Sequence, residues 1–345
     1  MRSRPEGGVR RLPAAAPRRQ SGVALLALLT LLTLWGLYLL VGELNVTQFQ
    51  VARKEAAGAA LAQAKLALIG RAAGDDNRPG SLPCPAPVHP DATHPDGVAL
   101  LLAGNHCPIY VGRLPWRTLQ IEQFRDVGDT RINEPQGLWY ALAPALRDDD
   151  SAQPINFETV PELRLDGAPN VAAIIFAPGL PLANQNRDPR NERGGDSVAD
   201  YLDGSNADGD QDFVSGPQSA AFNDVVLAVT RDDLFRVVNQ RVLGEVRARA
   251  ESASLPDHGL LGYQALNGRF PFADGDTDGS ADSGVLAGRL PYRDLSFSPA
   301  ALAWLTANDW WRLVSYNRLS ACLALIGIVG SAATMDVSGA GPACP

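Results

Sequence analysis

Residues 23–42 read VALLALLTLLTLWGLYLLVG, twenty positions without a charged side chain. A helix rises about 1.5 Å per residue, so this stretch would extend about 30 Å, the hydrocarbon thickness of a bilayer. Residues 1–22 hold six arginines and one glutamate, a bias that predicts a cytoplasmic N-terminus. The sequence thus predicts a cytoplasmic basic leader (1–22) and an uncleaved transmembrane helix (23–42). A cleaved secretory signal, whose apolar core spans roughly 7 to 15 residues, is the alternative.

The helical pattern continues beyond this apolar stretch. Residues 44–73 contain no proline and consist mainly of good helix formers, with Ala57, Leu61, Ala64 and Leu68 on one face. The expected fold class is α+β, with a long N-terminal membrane-anchored helix packed on antiparallel strands. The expected localisation is the inner membrane, single-pass, with the main domain in the periplasm.

Composition limits the classes of protein to consider. The chain has 345 residues, of which 46% are hydrophobic, enough for one large domain or two small ones. Its formal net charge is −8 although the leader is basic, so the remainder is acidic. Nucleic acid is therefore not an expected partner, because phosphate binding needs a clustered basic surface.

The four cysteines agree with a location outside the cytoplasm, where disulfides persist. They allow three pairings, and proximity favours Cys84 with Cys107 and Cys322 with Cys344. Each bridge would close a loop of about 22 residues and stabilise the fold by about 3 kcal/mol. Four buried free thiols are the alternative.

Several elements of the main domain can be predicted locally. Apolar runs at 138–142, 171–177, 225–229 and 323–329 predict strands. Thr230, with Asp233 three residues on, predicts the start of a helix, and Ser298 before Pro299 predicts the start of another. The connection between the second and third strands exceeds forty residues, a length typical of functional or disordered segments.

An internal repeat suggests a duplicated module. GRLPWRTL (112–119) recurs as GRLPYRDL (288–295), with six identities in eight positions. Each copy follows a Pro/Gly loop, GSLP (80–83) or GRFP (268–271), and precedes an aromatic pair, at 139–140 or 310–311. The predicted organisation is a helix extension and first periplasmic module in 43–230, then a second helix and repeated module in 231–345. Two similar but unrelated turns are the alternative.

Four residues of the repeat are predicted to be its key positions, either for packing or for partner contact: Arg113, Trp116, Arg289 and Tyr292. A proline-containing turn with an arginine stacked on an aromatic ring would explain both copies.

Two acidic runs are candidate calcium sites. DGDTDGSAD (274–282) has carboxylates at alternate positions and a glycine at the sixth, like the front of a calcium loop, but Val285 stands where an EF-hand has a bidentate glutamate. The second run lies in the long connection. A solvated acidic turn is the alternative for the first run, and disorder for the second. The predicted ligands are Asp274, Asp276, Asp278 and Asp282, then Asp203, Asp208, Asp210 and Asp212.

The segment RQSGVALLA (19–27) resembles the N-terminus of the type IV pilin and type II secretion pseudopilin family, in which basic residues and a glycine precede an apolar span that continues as an amphipathic helix. The resemblance implies cleavage by a prepilin peptidase between Gly22 and Val23, followed by methylation of the new N-terminus. It also implies other pilin or secretion-apparatus subunits, and inner-membrane lipid, as partners. Ala27 stands where the family usually has glutamate.

The expected function is a pilin-like structural or assembly component of a type IV pilus or type II secretion apparatus, with incorporation into a pilus. No nucleophile elbow, phosphate loop or zinc-protease pair occurs in the sequence, so the protein is not expected to be an enzyme. The alternative is a membrane-anchored periplasmic binding or adhesion protein with a calcium-stabilised acidic loop.

Overall fold

The computed structural model describes residues 21–124, 137–149, 153–187, 197–248, 258–340 and 344, with backbone alone for 21–24, 39–47 and 49–50. The chain divides into two compact units, Met1–Lys54 and Glu55–Pro345. Most of the predicted basic leader, up to residue 20, lies outside the described residues.

Helix α1 begins at Ser21 and ends at Gly74. In the N-terminal unit, ten large apolar side chains between Leu25 and Tyr38 are each more than half exposed. Successive residues of a helix point about 100° apart, so these side chains surround the helix on all sides.

The predicted membrane span is not supported. Among the described residues, no helix is both long enough and apolar enough to cross a membrane. The transmembrane helix at 23–42 and the single-pass inner-membrane localisation are therefore wrong. The fold class is corrected accordingly: the described chain is a mixed α/β fold with two sheets, without the membrane-anchored helix.

The first sheet has six strands within the described residues: β1 (Val111–Arg113), β2 (Trp139–Leu142), β3 (Leu163–Leu165), β4 (Ala168–Ala177), β5 (Asp212–Phe213) and β6 (Val225–Thr230). Their order is β1-β2-β4-β3-β5, and β6 also pairs with β4. The pair β3–β5 is parallel and the others are antiparallel. The strands predicted at 138–142, 171–177 and 225–229 are confirmed.

The second sheet is an antiparallel meander of β7 (Ala287–Arg289), β8 (Val314–Arg318), β9 (Leu323–Ile328) and β10 (Thr334–Ser338). The strand predicted at 323–329 is confirmed as β9. One face is buried through Tyr316, Ile326 and Val337, whereas the other exposes Arg289 and Asp336. Antiparallel sheets are commonly solvated on one face in this way.

Three further helices are α2 (Arg231–Arg247), α3 (Gly259–Asn267) and α4 (Pro299–Ala307). The predicted caps are confirmed. The Thr230 hydroxyl accepts a hydrogen bond from Asp233 N at 3.1 Å, and the Ser298 hydroxyl accepts one from Ala301 N at 3.1 Å. Each cap satisfies an amide that has no partner inside its helix.

The predicted apolar face of α1 lies in the core of the second unit. Leu61, Ala64 and Leu68 are buried in the same cluster as the inner residues of α2 and both sheets. Lys65, on the same helix, donates to Asp233 at 2.7 Å and to the Ala228 carbonyl at 3.0 Å. This part of α1 is therefore fixed to the start of α2 by charge as well as by apolar packing.

Both predicted disulfides are confirmed: Cys84 pairs with Cys107 and Cys322 with Cys344. The first bridge is buried, and the second joins the turn between β8 and β9 to Cys344.

Candidate functional site

The two copies of the repeat occupy equivalent positions in the two sheets. The strands β1, β2, β4 and β6 pair in the same succession as β7, β8, β9 and β10. Gly112 of the first copy lies opposite Tyr140 on β2, and Gly288 of the second lies opposite Tyr316 on β8. The sequence repeat therefore corresponds to a repeated arrangement of four antiparallel strands.

A buried tyrosine fixes each copy to its preceding loop. The Tyr140 hydroxyl donates to the Pro83 carbonyl at 3.3 Å, and the Tyr316 hydroxyl donates to the Pro271 carbonyl at 2.9 Å. Burial raises the pKa of both hydroxyls above the ordinary value of tyrosine, so both remain neutral donors. Tyr316 is thus the counterpart of Tyr140. The match of residues 139–140 with residues 310–311, which the sequence repeat suggested, is therefore wrong.

The glycine of each repeat is required by a close backbone approach. A Cβ added at Gly112 would collide with the carbonyl oxygen of Ala86, and one added at Gly288 would collide with that of Asp274. The following arginines hold these crossing segments: Arg113 N donates to Ala86 O at 3.1 Å, and Arg289 N donates to Asp274 O at 2.9 Å. A side chain at either glycine would push the two segments apart.

Each repeat also places an aromatic ring over a second glycine. A Cβ added at Gly97 would collide with the ring of Trp116, and one added at Gly279 would collide with the ring of Tyr292; both glycines have positive φ, 72° and 92°. The residue after each ring donates its amide to the glycine carbonyl, at 2.8 Å from Arg117 and 2.9 Å from residue 293. The ring and the turn therefore form one unit, here called the aromatic turn.

The arginine that stacks on each aromatic is the one that follows it. The guanidinium of Arg117 lies 4.9 Å from the ring centroid of Trp116, and that of Arg293 lies 5.9 Å from Tyr292. Tyr292 also stacks on Trp311, with centroids 4.7 Å apart. The first arginine of each repeat, at position 113 or 289, points elsewhere.

The first arginines differ in their surroundings. Arg113 is 8% exposed and donates to the Tyr201 hydroxyl at 3.2 Å and to the Val88 carbonyl at 3.0 Å. Tyr201 comes from the long connection between β4 and β6 and lies 4.8 Å from the ring of Trp139. Arg289 is exposed, and within the described chain its side chain has no hydrogen bond. The face of the first sheet that carries Arg113 is therefore covered, whereas the corresponding face of the second sheet, which carries Arg289, is exposed.

Trp116 borders a cleft of about 330 Å³ beside α1. Its walls combine apolar side chains, such as those of Ala56, Leu114 and Leu138, with the polar residues Gln63, Glu122 and Gln123. The indole nitrogen of Trp116 is buried and has no hydrogen-bond partner among the described residues.

Three of the four predicted ligands in the first acidic run converge. One carboxylate oxygen from each of Asp274, Asp276 and Asp282 lies within 4.8 Å of the others. Asp278 is not in this group, and its carboxylate accepts from Ser280 N at 2.7 Å. The loop 274–282 is folded so that oxygen ligands suited to a hard cation meet at one point.

Hydrogen bonds from the backbone satisfy part of this oxygen cluster. Asp274 accepts from Thr277 N at 2.6 Å and Gly279 N at 2.9 Å, and Asp282 accepts from Gly275 N at 2.7 Å. Gly279 is also the glycine beneath Tyr292, so the acidic loop and the second aromatic turn are structurally continuous.

The second acidic run is not brought to one centre. Asp203 is buried and accepts hydrogen bonds from Gln185 and from the amide of Asn223. Asp208 and Asp210 are exposed, and each accepts from the amide two residues further on, at 3.1 Å and 2.8 Å. Asp212 lies in β5 with an exposed side chain. These four residues therefore act as separate turn and network groups.

The predicted cleavage residues, Gly22 and Val23, lie in the first turn of α1, where the backbone alone is described. Sequence reasoning overlooked Gly97 and Tyr201, and it considered Gly279 only as the sixth residue of a possible calcium loop. The glycines had a signal, since each follows an aspartate in an Asp-Gly pair. Tyr201 had none, because its partner Arg113 is distant in sequence.

The chain matches no known family model, no curated protein and no solved structure.

Proposed function

We propose that this chain is a non-enzymatic, pilin-like structural or assembly component of a type IV pilus or type II secretion apparatus. The observation that carries the proposal is the exposed apolar surface of α1 between Leu25 and Tyr38. A helix that is apolar on all sides is stable in water only when other surfaces cover it. We expect equivalent helices of neighbouring subunits to provide that cover.

The size of this surface suits an assembly contact. Burying the remaining exposed surface of one such side chain contributes about 1 kcal/mol, so ten contribute on the order of 10 kcal/mol. This is comparable with the roughly 4 to 15 kcal/mol that association costs in lost freedom, so several neighbouring helices would be needed for a tight assembly. The same helix also carries the buried face around Leu61 and Leu68, which belongs to the disulfide-bonded second unit.

The test compares two double substitutions in the full-length chain. Leu28→Glu with Leu32→Glu places two charges on the apolar segment, whereas Leu101→Glu with Leu266→Glu places them at two leucines elsewhere that are even more exposed. Sedimentation and chemical cross-linking should show oligomers for the wild type and the control but a monomer for the helix variant. A monomeric wild type, or oligomers in all three proteins, would refute assembly through this segment.

A second candidate function is a binding or adhesion protein with a calcium-stabilised acidic loop, favoured by the convergence of Asp274, Asp276 and Asp282. Millimolar calcium should then raise the midpoint of thermal unfolding, and Asp282→Asn should abolish the rise. Asp208→Asn, in the run that does not converge, is the control and should leave the rise unchanged. An equal response of both variants would remove the support for this site.

A further inference from the structure

The long connection that precedes β6 covers one face of the first sheet. Arg113, Trp139 and Phe176 lie on that face, because each is directly paired with the next across β1, β2 and β4. Tyr201 contacts the first two, and Phe213 lies 5.5 Å from the ring of Phe176. We call residues 197–214 the cover and these three residues the outer face.

Two buried carboxylates tie the cover to the strand that follows it. Asp203 N donates to the Asp224 carboxylate at 3.0 Å, and Asp224 N donates to the Asp203 carboxylate at 3.2 Å. Asn206 also donates to Asp224 at 3.0 Å, while its own oxygen accepts from Val214 N at 2.9 Å. The two aspartates are 2% and 0% exposed, so this reciprocal pair is removed from water.

The charge balance of the pair is incomplete. The charged groups that face Asp224 are Asp203, which opposes its ionisation, and Arg187, which favours it. Arg187 is already directed to the carbonyls of Gly179 and Tyr201, at 2.8 Å and 3.0 Å. The second oxygen of Asp224 is buried with no hydrogen-bond partner in the described chain. Two ionised carboxylates here would therefore repel each other in a poorly solvated place.

We propose that Asp203 and Asp224 form a pH-sensitive latch, which holds the cover on the outer face when Asp224 is protonated and loosens it when Asp224 ionises. Loosening would release Tyr201 and Phe213 and expose Trp139 and Phe176, an aromatic surface beside Arg113. Within the described residues, the second sheet has no such cover, and its strands β9 and β10 are joined by a short turn. The proposal is independent of assembly through α1.

The expected direction follows from burial, which raises the pKa of Asp224 to about 6. With an ordinary value of 3.8 when the cover is open, the closed state binds the proton more tightly, so closing is favoured at low pH and loses that advantage as pH rises through about 6. Between about pH 5 and about pH 7.5, the closing equilibrium should weaken roughly tenfold.

The test is amide hydrogen exchange of the full-length protein at these two pH values, expressed as protection factors corrected for the intrinsic exchange rate. Peptides from 197–214 should lose about tenfold in protection at the higher pH, whereas peptides from the second sheet should not change. Asp224→Asn should keep the cover protected at both values, because the amide is neutral. Asp212→Asn, an exposed aspartate of the same cover, should behave as the wild type.

Three results would overturn the proposal. The first is equal protection of the wild type at both pH values. The second is an Asp224→Asn variant that loses as much protection at the higher pH as the wild type does. The third is a parallel loss of protection in the second sheet, which would indicate global unfolding. If Asp224→Asn does not fold, Asp203→Asn serves instead. This variant should show a smaller loss of protection at the higher pH, because the charge that repels ionised Asp224 is gone.

Discussion

Replacing Tyr140 or Tyr316 with phenylalanine tests whether the two sheets are held in the same way. Each substitution removes a buried hydroxyl and leaves a proline carbonyl, Pro83 or Pro271, without its donor. The loss of such a bond with the partner left buried costs about 1 to 3 kcal/mol. The shorter bond of Tyr316, 2.9 Å against 3.3 Å, predicts the larger loss for Tyr316→Phe.

Urea unfolding of the full-length protein, followed by circular dichroism, would measure the change in the free energy of unfolding. Tyr263→Phe is the matched control, since Tyr263 is half-buried and its hydroxyl has no hydrogen bond among the described residues. The two test variants should lose stability and their effects should add, because they belong to different sheets. Losses below about 0.3 kcal/mol for both, or equal to that of the control, would refute the tyrosine anchor as a stabilising feature.

Gly279→Ala should lower the free energy of unfolding by about 1 to 3 kcal/mol, because the positive φ of Gly279 and the overlying ring of Tyr292 both exclude a side chain. Gly104 also has positive φ but lies in open space, so Gly104→Ala should lower the free energy of unfolding less. Equal effects of the two substitutions in chemical denaturation would contradict a steric cause. Burial alone would raise the pKa of Asp75, but hydrogen bonds from Arg78 N and Arg71 lower it below its ordinary value. The stability that Asp75 contributes is therefore present above pH 3.8 and lost as pH falls further, so Asp75→Asn should destabilise the protein near pH 7 and have little effect near pH 2, measured by thermal unfolding. Reduction of both disulfides should lower stability by several kcal/mol, on the order of 3 for each loop, and an unchanged midpoint of unfolding would contradict this estimate.

Features that depend on contacts between residues close in sequence were predicted correctly. The caps of α2 and α4 depend on contacts three residues apart, so Thr230 and Ser298 identified them. The buried face of α1 follows helical spacing, and the strands β2, β4 and β6 are apolar runs. The disulfides were predicted from sequence proximity, which the structure confirms.

The remaining features depend on contacts between distant segments. The repeat at 112–119 and 288–295 was visible, but the counterpart of Tyr140 was not, because strand register is set by pairing rather than by the spacing of aromatic residues. The strands β3 and β5 escaped prediction since they are two or three residues long. The pairing of Asp203 with Asp224 could not be predicted, because Asp203 belongs to a run of acidic residues that resembles a cation-binding loop. Only its burial in the structure distinguishes Asp203 from Asp208.

The different connections of the two sheets have a consequence for the order of folding. In the second sheet, β8, β9 and β10 are joined by turns of a few residues, whereas in the first sheet β4 and β6 meet across the whole segment 178–224. Closing a long loop costs more chain entropy, and contacts between distant residues form slowly. We therefore expect the C-terminal meander to form first, although the first sheet leaves the ribosome earlier. The two sheets would then fold in the reverse of the order in which they are synthesised, and the cover would be the last segment to fold.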